Sequence, residues 1–201
     1  GATAASILLA VALSFFQEAF NFSFFYPVNQ SAVVAKQLNF QTDVGESKDI
    51  LLSDKSKITL NTNSFVQVRY TQHSRVINLL RGEIHIDVAH DKTRPLSVIA
   101  GDKVIQAVGT AFNVEVGQKQ IELIVTDGKV LVAEQKAESL PNLSLGTNKQ
   151  GQYLSNNSTS VSKGEKLDLS FKGKIAKAVE KVDPMDVAAR LSWRKGSLIF
   201  R

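Results

Sequence analysis

In the strand-like stretch AVGTAFNV, residues 107–114, Gly109 is followed by Thr110. A threonine hydroxyl can attack the carbonyl of the residue before it and turn the amide into an ester, provided the backbone is bent and the amide twisted from planarity. Glycine at the preceding position suits this, because it accepts strained dihedrals and leaves the carbonyl uncrowded. The same pair also serves as a plain bend, since glycine inside a strand pattern marks a bulge or tight turn. Gly-Thr opens strands in many β proteins without reacting, so the residues alone leave both readings open.

Other chemistry is scarce. There is no cysteine, which removes disulfides, thiolate metal sites and cysteine nucleophiles together and leaves His73, His85 and His90 as the nitrogen ligands. His85 and His90 are five apart and in an unbroken strand would face opposite ways, so no His-x-His metal set is formed. Glu83, His85 and Asp87 share a face, but so do the outward polar residues of any antiparallel strand. No metal and no cofactor is therefore expected. No G-x-S-x-G elbow and no glycine-rich phosphate loop is present, and nothing supports an enzyme acting on an external substrate. The net charge is +5, but Lys and Arg are scattered singly among Asp and Glu. A nucleic-acid partner wants a clustered basic face, and none is expected.

The elements that must position these residues read as strands. Short apolar runs recur between Gln37 and Ala133 with turn residues between them, the spacing of an all-β sandwich or barrel. SFVQVRY (64–70) alternates, with Val66, Val68 and Tyr70 on one face. EIHIDV (83–88) sets Ile84, Ile86 and Val88 against Glu83, His85 and Asp87, and FNVEV (112–116) turns Phe112, Val114 and Val116 inward. Further strands are expected at 50–52, 57–60, 76–80, 96–100, 104–108, 121–125 and 130–133. Turns are expected at VGES, NTNS, RGE, HDKTRP, AGDK, GQKQ and DGK. An antiparallel, wrapped two-sheet sandwich of jelly-roll type follows, and a parallel α/β fold does not.

The two ends differ from this body. From Gly1 to Ala35 the only charged side chain is Glu18, and an apolar run continued into AFNFSFFYPV reaches the length of about 20 residues that a bilayer requires. Phe20, Phe22, Phe24, Phe25 and Tyr26 form an aromatic exit of the kind found at membrane surfaces. Residues 1–35 are thus expected to span a membrane, with more chain upstream. Residues 36–140 form the β domain, and 141–201 a polar connector or a set of edge strands. Near the end, Ile175, Val179 and Val182 fall close to helical spacing before Pro184, and residues 197–200 suggest a last strand.

Four segments in order, TDVGESKDILLSDKSKITLNTNS (42–64), RVINLLRGEIHIDVAHDKTRPLSVIAG (75–101), VGTAFNV (108–114) and VTDGKVLV (125–132), resemble the FecR family, the membrane-spanning anti-sigma regulators of Gram-negative iron and siderophore uptake. The combination of RGE-x-x-x-DVAHD-x-x-RP with GT-x-FNV carries the resemblance. One departure stands at residues 52–56, where LSDKS replaces the family's usual Leu-Pro-Asp-Gly-Ser. LSWRKGSLIF (191–200) resembles the lead-in to a secretin/TonB short N-terminal module, which would follow Arg201, and the family's cytoplasmic sigma-binding domain would precede the membrane segment.

The resemblance implies a single-pass inner-membrane protein with its β domain in the periplasm. Its partners would be the signalling domain of a TonB-dependent transporter, a cytoplasmic extracytoplasmic-function sigma factor, and site-specific proteases. It also implies self-cleavage by an N-to-O acyl shift, with Thr110 as nucleophile, Gly109 supplying the carbonyl, and His85, Asp87 or His90 as proton acceptor. The sequence does not choose among the three. A rival function, a periplasmic β-sandwich module for cell-wall glycan or another saccharide, would want exposed aromatics. Trp193 is the only tryptophan, and most of the phenylalanines that could serve fall in the first 25 residues.

Overall fold

The computed structural model describes residues 37–72, 74–134, 158–171, 175 and 178–196. The chain divides into two units, residues 1–34 and 35–201, and every described residue lies in the second. The expected membrane-crossing segment and the suggested strand at 197–200 lie outside the described residues. Among the described residues, no helix is long and apolar enough to cross a membrane.

Thirteen strands are described: β1 (Gln37–Gln41), β2 (Lys48–Leu51), β3 (Lys57–Leu60), β4 (Phe65–Tyr70), β5 (Arg75–Asp87), β6 (Leu96–Ala100), β7 (Lys103–Ala107), β8 (Ala111–Val116), β9 (Gln120–Asp127), β10 (Lys129–Glu134), β11 (Thr159–Ser162), β12 (Glu165–Ser170) and β13 (Glu180–Lys181). They form one continuous sheet that curls into two facing halves. One half runs β1-β4-β5-β6-β7-β10-β11 and the other β2-β3-β5-β8-β9-β12-β13. The expected all-β class stands.

β5 belongs to both halves. Residues Arg75–Arg81 pair with β4, and Gly82–Asp87 pair with β8. The bend between them is a bulge: Phe65 faces Arg81 while Val66 faces Leu79, so Leu80 is left over and half exposed. Such an extra residue bends a strand and increases its twist. Gly82 completes the bend at φ +83°, and a Cβ there would overlap Oγ and Cα of Ser64. The turn expected at RGE is thus corrected: the glycine carries one 13-residue strand around a corner and does not end it.

The bend also corrects the expected all-antiparallel pairing. Because β5 has passed into the second half before the chain returns, β6 re-enters the first half running parallel to it, Arg75 facing Leu96 and Asn78 facing Ile99. All other pairs are antiparallel. From β5 onward the chain crosses between halves four times, at residues 88–95, 108–110, 128 and 163–164. Lys163 N–H donates to the Gly128 carbonyl and Gly164 N–H to that of Val125, so these crossings gather at one end of the sandwich.

The inward faces form a single core. Ile58, Ile77, Ile86, Phe112, Leu123 and Val132 are completely buried, and each such side chain contributes roughly 1.5–3 kcal/mol by leaving water. Val161, Leu167 and Leu169 join the same core, so β11 and β12 extend the sheet beyond residue 140.

The helical reading before Pro184 is likewise corrected. Glu180 and Lys181 pair with β12 as a short edge strand, and the helix α1 follows at Pro184–Arg190. A residue before proline is disfavoured in the α region, whereas Pro at the first helical position is pre-organised. Asp183 caps the helix by accepting from the Met185 N–H at 2.8 Å. A 3-10 turn, Ser192–Lys195, closes the described chain.

Candidate functional site

Gly109 and Thr110 lie in the tight crossing from β7 to β8. Gly109 has φ +74°, which only glycine adopts without strain. Space enforces the same choice, because a Cβ here would overlap Nδ1 of His90 and stand 3.0 Å from its Cβ and Cγ. Thr110 is buried. Its carbonyl accepts from the Val88 N–H at 2.9 Å, and its methyl packs on Gly128, where an added Cβ would lie 2.8 Å from Cγ2. The Thr110 hydroxyl has no hydrogen-bond partner among the described residues. A buried hydroxyl left unpaired costs about 1–3 kcal/mol and asks for a reason.

The loop that carries His90 is held from below. Arg75, fully buried, donates from Nη1 to Asp54 Oδ2 at 2.6 Å and to the Ala89 carbonyl at 3.1 Å, and from Nε to the Arg94 carbonyl at 2.7 Å. Burial works against the Asp54 carboxylate, yet hydrogen bonds from Ser56 and Arg75 outweigh it and hold the carboxyl below its ordinary range. Ser56 Oγ donates to Asp54 and accepts from the Ala89 N–H. Asp91 folds the far side of the loop by accepting from the Thr93 amide and hydroxyl and from Arg94. Within the turn that departs from Leu-Pro-Asp-Gly-Ser, Lys55 takes φ +70°, where a glycine would sit without strain.

His85 and Asp87 stand elsewhere. They share a face of β5 with Glu83 and lie opposite Asn113 and Ala111 of β8, while Thr110, one residue before Ala111, turns into the protein. Asp87 stays exposed, but Glu83 and His85 withdraw from water, so this face is not the fully solvated surface that its alternation suggests. The C-terminal segment covers it: Trp193 Nε1 donates to Glu83 at 3.0 Å, Arg190 Nη1 to both oxygens of Glu122 at 2.8 Å, and Arg194 approaches Asp87 at 3.9 Å. Glu83 also accepts from Asn61 and Asn113, but burial dominates and raises its carboxyl. Burial and the Arg194 charge lower the His85 imidazole to about 4, against the opposing pull of Asp87. His85 is therefore neutral near pH 7, and its 3.7 Å approach to Asp87 is not an ion pair there.

The structure thus sets His90 against Gly109, the residue before Thr110, and places His85 and Asp87 on another face. Sequence reading missed Gly128, Arg75 and Asp54, which shape and brace this corner, and Asn61, Asn113 and Trp193 around Glu83. No cluster of His, Asp and Glu among the described residues could hold a metal ion.

Residues 39–131 match the family model described as FecR protein. This segment belongs to the FecR family. It contains β2 to β9 whole, most of β1 and half of β10, and the whole Gly109-Thr110 corner. Two crystal structures of a candidate anti-sigma factor from Parabacteroides distasonis ATCC 8503, at 1.65 Å and 2.50 Å resolution, share the fold with a TM-score of 0.62 each. Identity is 20% and 19%, over 82% and 83% of this chain and 68% of that one, so the likeness to those structures is one of fold. No curated protein matches the chain by sequence.

Proposed function

We propose that this chain is the FecR-domain portion of a membrane-anchored sigma regulator. Residues 1–35 tether the β domain outside the inner membrane, and a ligand-loaded TonB-dependent transporter engages it there. The signal then passes inward, where site-specific proteolysis frees a cytoplasmic segment that acts on a sigma factor. The FecR match over residues 39–131 carries this reading, and the fold shared with a protein described as a candidate anti-sigma factor supports it. A saccharide-binding module is less well supported: the large hydrophobics exposed among the described residues are Leu38, Val44, Leu51, Leu80 and Met185, with no aromatic, and Trp193 is engaged with Glu83.

Self-cleavage between Gly109 and Thr110 is part of the proposal. The positive φ of Gly109 and the buried Thr110 hydroxyl, unpaired among the described residues, are the features it draws on. Two experiments test the reading. Retention of the full-length protein on an immobilised signalling domain of a co-encoded transporter supports signal relay, and binding to cell-wall glycan without that retention overturns it. Purified protein is expected to run as two bands under denaturing conditions and as one particle under native ones, with Thr110→Val giving a single band. A single band from the unmodified chain removes the cleavage step.

A further inference from the structure

We propose that His90 is the proton carrier for chain scission at Gly109-Thr110, an assignment that rests on the self-cleavage reading above. The observations are geometric. The His90 ring occupies the space where a side chain at residue 109 would stand, with Nδ1, Cγ and Cβ all against Gly109. His90 is exposed, so its ring meets water while touching the residue whose carbonyl reacts. Its loop is fixed at both ends by one buried guanidinium, through the Ala89 and Arg94 carbonyls. His85 and Asp87 lie on the other face of β5, paired opposite Asn113 and Ala111, and His85 is shielded from water.

The step balances without any added reagent. A lone pair of Thr110 Oγ1 attacks the Gly109 carbonyl carbon as the hydroxyl proton passes to the His90 imidazole. The tetrahedral centre collapses, the carbon–nitrogen bond breaks, and the imidazolium returns that proton to the Thr110 nitrogen. The product is an ester isomer of the chain. Water then hydrolyses the ester to a Gly109 carboxylate and a Thr110 with free amine and hydroxyl. A positioned base of this kind contributes typically about 10²–10⁴-fold to a rate.

The test follows scission of the freshly translated full chain by pulse-chase, comparing the unmodified sequence with His90→Gln and His90→Gly. Scission at least about a hundredfold slower in both variants is expected, with added imidazole restoring the rate of His90→Gly. Urea midpoints of the uncleaved variants show that they fold. If the unmodified chain splits and both variants split at the same rate, or if His90→Gly is slow and imidazole does not rescue it, the assignment to His90 is overturned while self-cleavage survives. If the unmodified chain never splits, the underlying reading falls and takes the assignment with it.

Discussion

Arg75 Nη1 and Asp54 Oδ2 meet at 2.6 Å, with the arginine side chain fully buried and the aspartate nearly so. One residue opens β5 and the other sits in the turn between β2 and β3, yet together they fix the loop that lays His90 on Gly109. Three hydrogen bonds from one buried guanidinium thereby tie this corner to the turn between β2 and β3. The consequence is that a substitution far from Gly109 in sequence disturbs the geometry there.

Asp54→Ala strands a buried guanidinium, which costs about 3–5 kcal/mol. Urea unfolding is expected to show a loss of that size. The carboxyl is held below its ordinary value in the folded state, so its stabilisation is complete above the unfolded pKa of about 3.9 and is lost as the pH falls through the lower folded value. The unmodified protein should therefore weaken below about pH 4, and Asp54→Asn should flatten that part of the profile.

His85 predicts a second, separate window. Its imidazole titrates at about 4 when folded and near 6.5 when unfolded. Between those values the unfolded chain binds the extra proton, so stability falls as the pH drops from about 6.5 to about 4, by at most about 3 kcal/mol, and is flat above. Urea midpoints measured from pH 4 to 8 should show this slope in the unmodified protein and lose it in His85→Gln.

Lys55 predicts an easy gain. A side chain in the left-handed region costs about 1–2 kcal/mol, partly offset by the greater freedom of glycine in the unfolded chain. Lys55→Gly is expected to raise stability by about 0.5–1 kcal/mol, visible as a higher melting temperature with unchanged spectra.

Thr110→Val predicts a protein that is more stable and cannot cleave. The substitution keeps the shape and removes a buried hydroxyl that has no partner among the described residues, a gain of about 1 kcal/mol. Thr110→Ser keeps the hydroxyl but drops the methyl that rests on Gly128, and should be less stable than the unmodified chain. Chemical unfolding of the two variants side by side decides whether the hydroxyl is retained at the expense of stability.

The strands were legible because period-two alternation depends only on one face being buried, as in Ile84, Ile86 and Val88. The corner at Gly82 was not, because a glycine with φ +83° looks the same in sequence whether it ends a strand or bends one. The helix at Pro184 was misplaced by the spacing of Ile175, Val179 and Val182, although Asp183-Pro184 already spelled a cap and a first turn. Glu83 and His85 read as solvated because Trp193, which donates to Glu83, lies 110 residues away from it in sequence. Gly109 and Thr110 were visible as a pair. That His90 meets Gly109, and Arg75 braces its loop, depends on crossings that only the folded sheet brings to one end.

The chain path around that end has a mechanical consequence. Opening the backbone between Gly109 and Thr110 leaves β8 zipped to β5 along six residue pairs and β10 to β7 along four. The two pieces are interlaced like the teeth of two combs. Neither slides free until both ladders are stripped, so a nick here stores a weak point that shows itself only under load.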